Sequence, residues 1–322
     1  MMINMMKIFS VRLLDLILFV FALVASSILL AVRRIGVDRL PACKKALLTV
    51  GIFPIRRHYY EPLFDTEPLR AGLEKERDLP GIDFNVTEQL QLLAEFDYGD
   101  ELLSLPLRSD NPLTFHYHNS RFGPGDAELL YSMIRHYKPR RLVEIGSGFS
   151  TLMARQALAR NEQESSGLRC DHICIEPYEE PWLEQCGATI LRQRVETVDN
   201  AIFQELGQND ILFIDSSHMI RPGGDVLCEY LQILPLLKPG VLVHIHDIFS
   251  PRDYPAGWIC DEVLFWNEQY LLEAFLCHND SFKVVSALNY LKHHHSAEVA
   301  AKFPILGREA ARNPGSFWIR RV

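Results

Sequence analysis

The chain has 322 residues, a formal net charge of −8, 48% hydrophobic residues and 23% charged residues. This length indicates one large domain with an extension or two small domains, and the composition is that of a globular protein. The acidic balance argues against a general nucleic-acid-binding surface. The seven cysteines are odd in number and form no C-x-x-C pair, so neither a disulfide framework nor a zinc site is expected.

An apolar run near the N-terminus has the length of a membrane span. Leu13–Val32 reads LLDLILFVFALVASSILLAV, which is about 30 Å long as a helix and matches the hydrocarbon core of a bilayer. Its single charge, Asp15, lies near one end. The flanking basic residues are Lys7 and Arg12 before the run and Arg33, Arg34, Arg39, Lys44 and Lys45 after it. The positive-inside rule therefore puts the C-terminal side in the cytoplasm.

We predict that residues 1–35 form a single-pass anchor in the inner (cytoplasmic) membrane. One alternative is a cleaved signal peptide, but the small residues at 25–27 are followed by Ile28, Leu29 and Leu30, a poor cleavage context. A buried core helix is the other alternative, although the run is apolar on all sides rather than amphipathic.

Prolines recur through residues 36–118, and each one ends or interrupts a helix or strand. They are Pro41, Pro54, Pro62, Pro68, Pro80, Pro106 and Pro112. A short helix is predicted around Thr87–Phe96. We predict that residues 36–118 form a linker and a partly ordered cap, and that residues 119–322 form one domain.

Helices and short apolar strands alternate from Gly125 to Asp247. Strands rich in Val and Ile that alternate with helices are typical of a parallel sheet covered on both faces. The predicted strands are Arg141–Ile145, His172–Glu176, Thr189–Leu191, Ile211–Asp215 and Val241–Asp247. Between the last two strands a helix is predicted over Asp225–Leu237. Its predicted inward residues are Leu227, Tyr230, Leu231 and Leu234.

The C-terminal part of the chain departs from this alternation. A helix is predicted over Ile259–Phe275. The runs Phe282–Leu288 and Ser316–Arg320 are predicted to be strands that pair with each other in antiparallel fashion. The predicted fold class is therefore α/β, a doubly wound, mostly parallel sheet closed by an antiparallel strand pair, with an N-terminal transmembrane helix.

The first strand leads into a glycine-containing turn, E-I-G-S-G-F-S-T. Open α/β sheets bind ligands at the carboxyl ends of their strands, and Gly146 and Gly148, on either side of Ser147, allow a ligand to approach the main chain. Thr151 stands where a dinucleotide-binding fingerprint has its third glycine, which disfavours a pyrophosphate ligand. Glu144 is also unsuited to a phosphate, but it suits a cationic ligand or its bound water.

The second strand ends in a carboxylate, Glu176. A carboxylate at this place can accept hydrogen bonds from both ribose hydroxyls of an adenosine, and it cannot comfortably face a 2′-phosphate. The glycine turn, Glu144 and Glu176 together fit S-adenosylmethionine (SAM) better than NAD. The alternative interpretation is a tight strand–helix turn with a surface glutamate.

Four segments occur in order along the chain: E-I-G-S-G-F-S-T, I-E-P-Y, D-I-L-F-I-D-S-S-H and L-K-P-G-V-L-V-H-I-H-D-I-F. They resemble the successive motifs of class I (Rossmann-like) SAM-dependent methyltransferases, especially a bacterial branch with sugar and small-molecule O-methyltransferases. The resemblance covers about residues 119–322. It implies that Gly146 and Gly148 contact the methionine part of SAM, that Glu176 holds the ribose and that Glu196 flanks the adenine. The candidate cofactor-binding residues are Glu144, Gly146, Ser147, Gly148, Glu176, Glu196 and Asp215.

Asp215 and His218 follow the fourth strand in the pattern D-S-S-H. Methyl transfer to oxygen needs an acceptor held close to the methyl group and removal of the acceptor's proton, and a neutral His218 is a reasonable general base. The resemblance to sugar O-methyltransferases with a D-x-x-H pattern implies that Asp215 is a ligand of a divalent metal, together with an acidic pair after strand five. Only Asp247 matches that pair, because His246 replaces a carboxylate, so the oxygen site expected for magnesium is degraded.

Each of these assignments of a base or a metal ligand has an alternative. His218 could cap or hydrogen-bond a loop, and Asp247 could orient SAM or a turn instead of binding a metal. His244 and His246 are two residues apart, so both can point to one face of the strand as core histidines. Asp215 and Asp247 are the candidate metal ligands.

The segment after the fifth strand could line an acceptor pocket through Arg252, Tyr254 and Trp258, since aromatic rings suit sugars or flat substrates. Packing of a lid explains the same residues equally well. Residues 221–224, R-P-G-G, are predicted to form a mobile second wall of the cleft.

The leading hypothesis is O-methylation of a small molecule, or of a glycan or lipid-linked acceptor, at the cytoplasmic membrane face. One alternative is a nicotinamide-dependent oxidoreductase, which would need a third glycine and a hydride-site pair such as Tyr-x-x-x-Lys. The other is a non-catalytic scaffold, which has no need of the glycine turn, Glu176 and Asp215 together.

Overall fold

The computed structural model describes residues 2–322 except Tyr59, Ser166, Glu179 and Ala310, with side chains described from Val11 onward. The α-helices are α1 Met2–Ile35, α2 Pro41–Val50, α3 Thr66–Arg70, α4 Val86–Glu95, α5 Gly99–Leu103, α6 Asp126–Tyr137, α7 Phe149–Glu164, α8 Ala201–Gln204, α9 Asp225–Cys228, α10 Glu268–Leu276, α11 Leu288–His294 and α12 Ser296–Lys302. The strands are β1 Arg141–Ile145, β2 Asp171–Ile175, β3 Thr189–Leu191, β4 Ile211–Ile214, β5 Leu242–Ile245, β6 Phe282–Ala287 and β7 Phe317–Arg321.

The internal contacts divide the chain into two units, residues 1–69 and 70–322. The first unit begins with α1, in which Val11–Ile35 has a mean hydropathy of 2.7 and is not buried. This helix is long and apolar enough to cross a membrane, as the run Leu13–Val32 predicts. A signal sequence has the same length and composition. The side chain of Lys7, one of the flanking cations, lies outside the described residues.

The second unit is built on one seven-stranded sheet in the order β3-β2-β1-β4-β5-β7-β6. The strands from β3 to β5 are parallel to their neighbours, and β7 runs antiparallel between β5 and β6. This arrangement confirms the predicted class, a doubly wound α/β sheet closed by an antiparallel pair. Four strands end in register, because Ile145 pairs with Ile175 and Ile214, and Ile214 pairs with Ile245.

A hydrophobic core covers each face of the sheet. Successive side chains of a strand point to opposite faces, so Phe213 of β4 packs into the core that includes α6 and α7, whereas Leu212 and Ile214 pack into the other core. All three are fully buried. Burial on both faces explains why β4 is apolar throughout instead of alternating.

Residues 86–117 contribute to the core that contains Phe213. Leu102 and Tyr117 are fully buried there, and the Tyr117 hydroxyl donates to the Leu102 carbonyl at 3.1 Å. Within the stretch predicted as a linker and partly ordered cap, residues 36–118, this part therefore packs into the same core as α6. The helix predicted around Thr87–Phe96 is confirmed as α4.

The helix predicted over Asp225–Leu237 changes its winding. After α9 the chain forms a π-helical turn at Glu229–Ile233 and then a 3-10 turn. A π turn contains an additional residue and shifts the inward face. Leu231, predicted to point inward, is therefore 66% exposed, whereas Tyr230 is buried.

The helix predicted over Ile259–Phe275 is interrupted. A π-helical turn ends at Asp261, and α10 begins only at Glu268. Between them, Val263 adopts a left-handed conformation with φ +57°. The amide of Glu268 donates to the carbonyl oxygen of His218 at 3.2 Å, so the interruption brings Glu268 beside a predicted site residue.

Replacing Phe213 by alanine is expected to lower the free energy of unfolding by about 3–5 kcal/mol, because the change leaves a cavity between the central strand and α6. Chemical denaturation of the full chain in detergent measures the effect. The control is Leu231→Ala on the exposed side of the π turn, for which the expected change is within about 0.5 kcal/mol. Equal effects of the two substitutions would contradict the assigned core.

Candidate active site

An open cleft of about 1270 Å³ lies at the carboxyl edge of the parallel strands. Because β1, β2, β4 and β5 end in register, the residues that follow them meet at one edge of the sheet. The lining residues that follow these strands are Gly146, Ser147, Gly148, Glu176, Asp215, His218, His246 and Asp247. The predicted glycine turn, second-strand carboxylate and D-x-x-H residues thus share one cleft.

The glycine turn brings β1 close to β4. Gly146 has φ +78°, and a Cβ built on it would lie 1.8 Å from the carbonyl oxygen of Asp215, so no side chain fits there. A Cβ on Gly148 would meet nothing within 4 Å and would enter the open space of the cleft. Gly146 therefore permits the approach of the two strands, and Gly148 leaves the main chain accessible to a ligand.

The Glu176 carboxylate is held at the floor of the cleft by the main chain. Its Oε2 accepts a hydrogen bond from the amide of Ser147 at 3.3 Å, and its Oε1 accepts one from the amide of Tyr178 at 2.8 Å. Glu196 lies in a 3-10 turn, partly exposed, and lines the same cleft. The two carboxylates thus border the same cleft.

Glu144 does not line the cleft. Its carboxylate is buried beneath the turn, where Oε2 accepts a hydrogen bond from Thr151 Oγ1 at 2.7 Å and Oε1 lies 2.7 Å from His172 Nε2. Thr151 Oγ1 in turn accepts the amide of Gly148 at 3.1 Å. The sequence predicts that Glu144 suits a cationic ligand or its bound water. The structure differs, because the side chain of Glu144 points into the helix layer and does not reach the cleft. Glu144 supports the turn from behind.

His218 is buried among three carboxylates. Its Nδ1 lies 2.8 Å from Glu268 Oε2, and its Nε2 lies 3.3 Å from Asp215 Oδ1 and 3.6 Å from Asp247 Oδ2. The ring also contacts Trp266, with centroids 4.4 Å apart. These contacts fix the orientation of the His218 ring at the cleft.

The charge state of His218 differs from the neutral imidazole predicted from the sequence. Burial lowers its pKa, but the hydrogen bonds with the carboxylates of Asp215 and Glu268 outweigh that effect and hold the pKa well above its usual value. The protonated ring is therefore the form that these carboxylates favour. The sequence analysis did not find Glu268, because it lies on another element and no local pattern connects it to His218.

Asp215, His246 and Asp247 form a cluster whose ligand atoms all lie within 4.8 Å of one another. Burial raises the pKa of Asp215, whereas the charge of His246 and the hydrogen bond with His218 lower it, to about 2 in the balance. Burial raises the pKa of Asp247 above its usual value. Two carboxylates and one imidazole fit a divalent ion that accepts nitrogen and oxygen ligands, but they fall short of the all-oxygen shell that magnesium prefers.

His244 is a core histidine, unlike His246. It is fully buried, its Nε2 lies 3.2 Å from Ser316 Oγ, and its ring stacks on Trp318 with centroids 4.9 Å apart. Burial holds its pKa well below the usual value, so it is neutral. Both histidines lie on one strand face, but the Nε2 of His246 lies 3.5 Å from Asp247 Oδ1, in the cleft.

Of the three residues predicted for the acceptor pocket, only Trp258 lines the cleft, joined by Trp266. Tyr254 is fully buried, and its hydroxyl accepts the amide of Gln269 at 3.0 Å. Arg252 points away from the cleft. Its Nε lies 3.4 Å from a carboxylate oxygen of Glu76. Arg221, in the predicted second wall, also lines the cleft.

A family model described as a methyltransferase domain matches residues 143–248. An uncharacterized protein of Archaeoglobus fulgidus is 31% identical over 173 residues, which make up 50% of this chain and 76% of that protein. The O-methyltransferase TomG from Streptomyces achromogenes, solved in complex with SAM, has a TM-score of 0.34 and 13% identity, covering 72% of this chain and 89% of that chain. The O-methyltransferase from Bacillus cereus, in complex with SAH, has a TM-score of 0.35 and 14% identity, covering 74% of this chain and 91% of that chain. Similarity at these TM-scores adds nothing to the argument.

The stretch matched by the family model runs from β1 to the end of β5 and contains every strand end that lines the cleft. The match favours a methyltransferase over the alternative of a nicotinamide-dependent oxidoreductase. It agrees with the glycine turn, the second-strand carboxylate and a parallel sheet closed by a reversed strand. The chain belongs to the class I (Rossmann-like) family of SAM-dependent methyltransferases.

Proposed function

We propose that the protein transfers the methyl group of SAM to an oxygen of a small-molecule acceptor, with His218 as the general base. The observation that carries this proposal is the clamp on His218, whose Nδ1 is held by Glu268 while its Nε2 faces the cleft beside Asp215. A base must be oriented toward the proton it removes. The glycine turn and Glu176 line the same cleft, so cofactor and base are within one site.

The cofactor half of the cleft is assigned by position. Gly146, Ser147 and Gly148 contact the methionine part of SAM, Glu176 accepts hydrogen bonds from the ribose hydroxyls and Glu196 flanks the adenine. What supports this assignment is the space beside Gly148 and the fixed carboxylate of Glu176. Asp215, at the boundary between the two halves, faces both the cofactor and His218.

The proton chemistry depends on the charge of His218. When bound, SAM supplies a methyl group on a positively charged sulfonium. A positive charge in the cleft would lower the pKa of His218, so that its Nε2 would lose its proton to solvent. The free Nε2 would then take the proton of the acceptor hydroxyl as that oxygen receives the methyl group. Glu268 keeps the proton on Nδ1 and stabilises the imidazolium that forms. This order of proton transfers explains why His218, as the base, is surrounded by carboxylates.

A divalent ion is a further part of the proposal. Asp215 and Asp247, with His246, would hold it, and it would supply a positive charge that favours the ionised form of an acceptor hydroxyl. The support is the donor set alone.

The membrane assignment rests on α1. We propose that residues 1–35 span the inner membrane, that residues 36–118 link and cover the domain, and that the methyltransferase domain over residues 119–322 works at the cytoplasmic face. The length and hydropathy of Val11–Ile35 support a span, and the basic residues after it support this orientation. An acceptor at the membrane, such as a glycan or a lipid-linked intermediate, follows from the anchor.

Replacing Glu176 by alanine is expected to weaken SAM binding by about 1–3 kcal/mol, since the ribose loses its acceptor. Calorimetric titration of the full chain with SAM measures the loss. The matched control is Glu88→Ala, which removes an exposed glutamate of α4 and should leave the affinity unchanged. An unaltered SAM affinity in folded Glu176→Ala protein would show that Glu176 does not bind the cofactor.

Replacing His218 by alanine is expected to reduce turnover about 100-fold or more while SAM affinity is retained. Glu268→Gln, which is isosteric, should reduce kcat in the same direction but less, because it loosens the imidazole without removing it. Release of SAH is measured with an acceptor found by screening. Normal turnover in His218→Ala protein would show that His218 is not the general base and has only a structural role.

The anchor can be tested through Cys43, which is exposed and follows α1 by a few residues. A membrane-impermeant maleimide is expected to label Cys43 in inverted inner-membrane vesicles and not in intact spheroplasts, with Cys43→Ser protein as the control for the other thiols. Labelling from the outside would reverse the topology. A mature chain that lacks α1 by mass spectrometry would establish a signal peptide instead.

A further inference from the structure

A cationic wall adjoins the reacting end of the cleft, although the chain carries a net charge of −8. Arg121 and Arg312 both line the cleft. Three residues after Arg312, Gly315 packs against Asp247, where an added Cβ would lie 2.8 Å from the Asp247 Cα. The segment that carries Arg312 is therefore close to Asp247, the carboxylate that follows β5.

The guanidinium of Arg312 is partly buried, with a buried Nε, and it has no ion-pair or hydrogen-bond partner among the described residues. It lies over Gly123, where a Cβ would come within 2.8 Å of Nη2. The main chain around it is held by the amide of Arg312, which donates to the Glu309 carbonyl at 2.9 Å, and by the Lys292 ammonium, which donates to the Arg312 carbonyl.

Asp126 interacts with Arg312 only through its charge. Asp126 is attracted to it, but the Oδ1 of Asp126 accepts the amides of Gly315 and Ser316 at 2.9 Å. A partly buried guanidinium without a hydrogen-bond partner is costly unless a ligand supplies one. The guanidinium of Arg312 can thus donate hydrogen bonds to a ligand in the cleft.

The second wall of the reacting end is aromatic. Trp258 and Trp266 line the cleft, with ring centroids 5.1 Å apart, and Trp266 contacts the ring of His218. Such rings pack against the face of a sugar or of a planar ring and fix its orientation.

We propose that the acceptor carries an oxyanion, a carboxylate or a phosphate, which Arg312 binds while Trp258 and Trp266 pack against the acceptor's ring. A guanidinium matches both oxyanions through two parallel hydrogen bonds. This inference rests on the proposed function, since it defines the acceptor class of the same site.

The test uses the full chain in detergent, saturated with SAH, and four probes: benzoate and phenyl phosphate as anions, benzamide and phenol as their neutral partners. Calorimetry is expected to show that at least one anion binds about tenfold or more tightly than its neutral partner. The better anion identifies the source as carboxylate or phosphate. Arg312→Gln should abolish the preference and Arg312→Lys should retain part of it. Arg108→Gln, at an exposed arginine outside the cleft lining, should leave it intact.

Unchanged SAH affinity shows that each variant is folded. Equal binding of anions and neutral probes by the wild type, no binding of any probe, or a preference that survives in Arg312→Gln protein would overturn the proposal. A wild-type chain that fails to bind SAH would contradict the methyltransferase account instead, and the anion preference would then be measured in the SAH-free protein.

Discussion

The site depends on one close contact, the approach of the carbonyl oxygen of Asp215 to the main chain of Gly146. Any side chain at Gly146 would overlap that oxygen, and the amide of Asp215 donates back to the carbonyl of Ile145 at 2.8 Å. The contact joins the ends of the two central strands. It places the open turn at Gly148 beside Asp215, and therefore places the cofactor half of the cleft beside the half that contains His218.

A second constraint is the excess of buried acid at the reacting end. Glu268, Asp215 and Asp247 surround His218. Close behind them, burial and the charges of Glu268 and Asp225 hold the pKa of Glu229 well above its usual value. One imidazole faces three carboxylates, and a cationic ligand in the cleft would offset the remaining negative charge. The same charge excess suits a sulfonium and a divalent ion, and it leaves the binding of an anionic acceptor to Arg312.

The sequence predicts those parts of the fold that local patterns determine. The strands are recognisable as short apolar runs between helices. The glycine turn is recognisable because the chain must change direction there. The break before α10 and the exposure of Leu231 were not predicted, since they depend on π-helical turns and on one left-handed residue, Val263. Helical periodicity carries no signal for such interruptions.

The candidate site was predictable where its residues follow strands, as Glu176, Asp215 and Asp247 do. The prediction for Glu144 was wrong. Side chains alternate along β1, and this alternation, which is visible in the sequence, puts Glu144 on the face of the sheet that the helices cover. Glu268 and Arg312 were missed for a different reason. They reach the cleft from the C-terminal part of the chain through tertiary packing, and nothing in their local sequence marks them.

The central claim is that the cleft at the glycine turn binds SAM. Calorimetric titration of the full chain in detergent, with SAM and separately with NAD, tests it most directly. The account predicts micromolar binding of SAM with one site per chain and no binding of NAD. A folded protein that binds neither would contradict the account in favour of a non-catalytic scaffold, and binding of NAD alone would contradict the cofactor assignment itself.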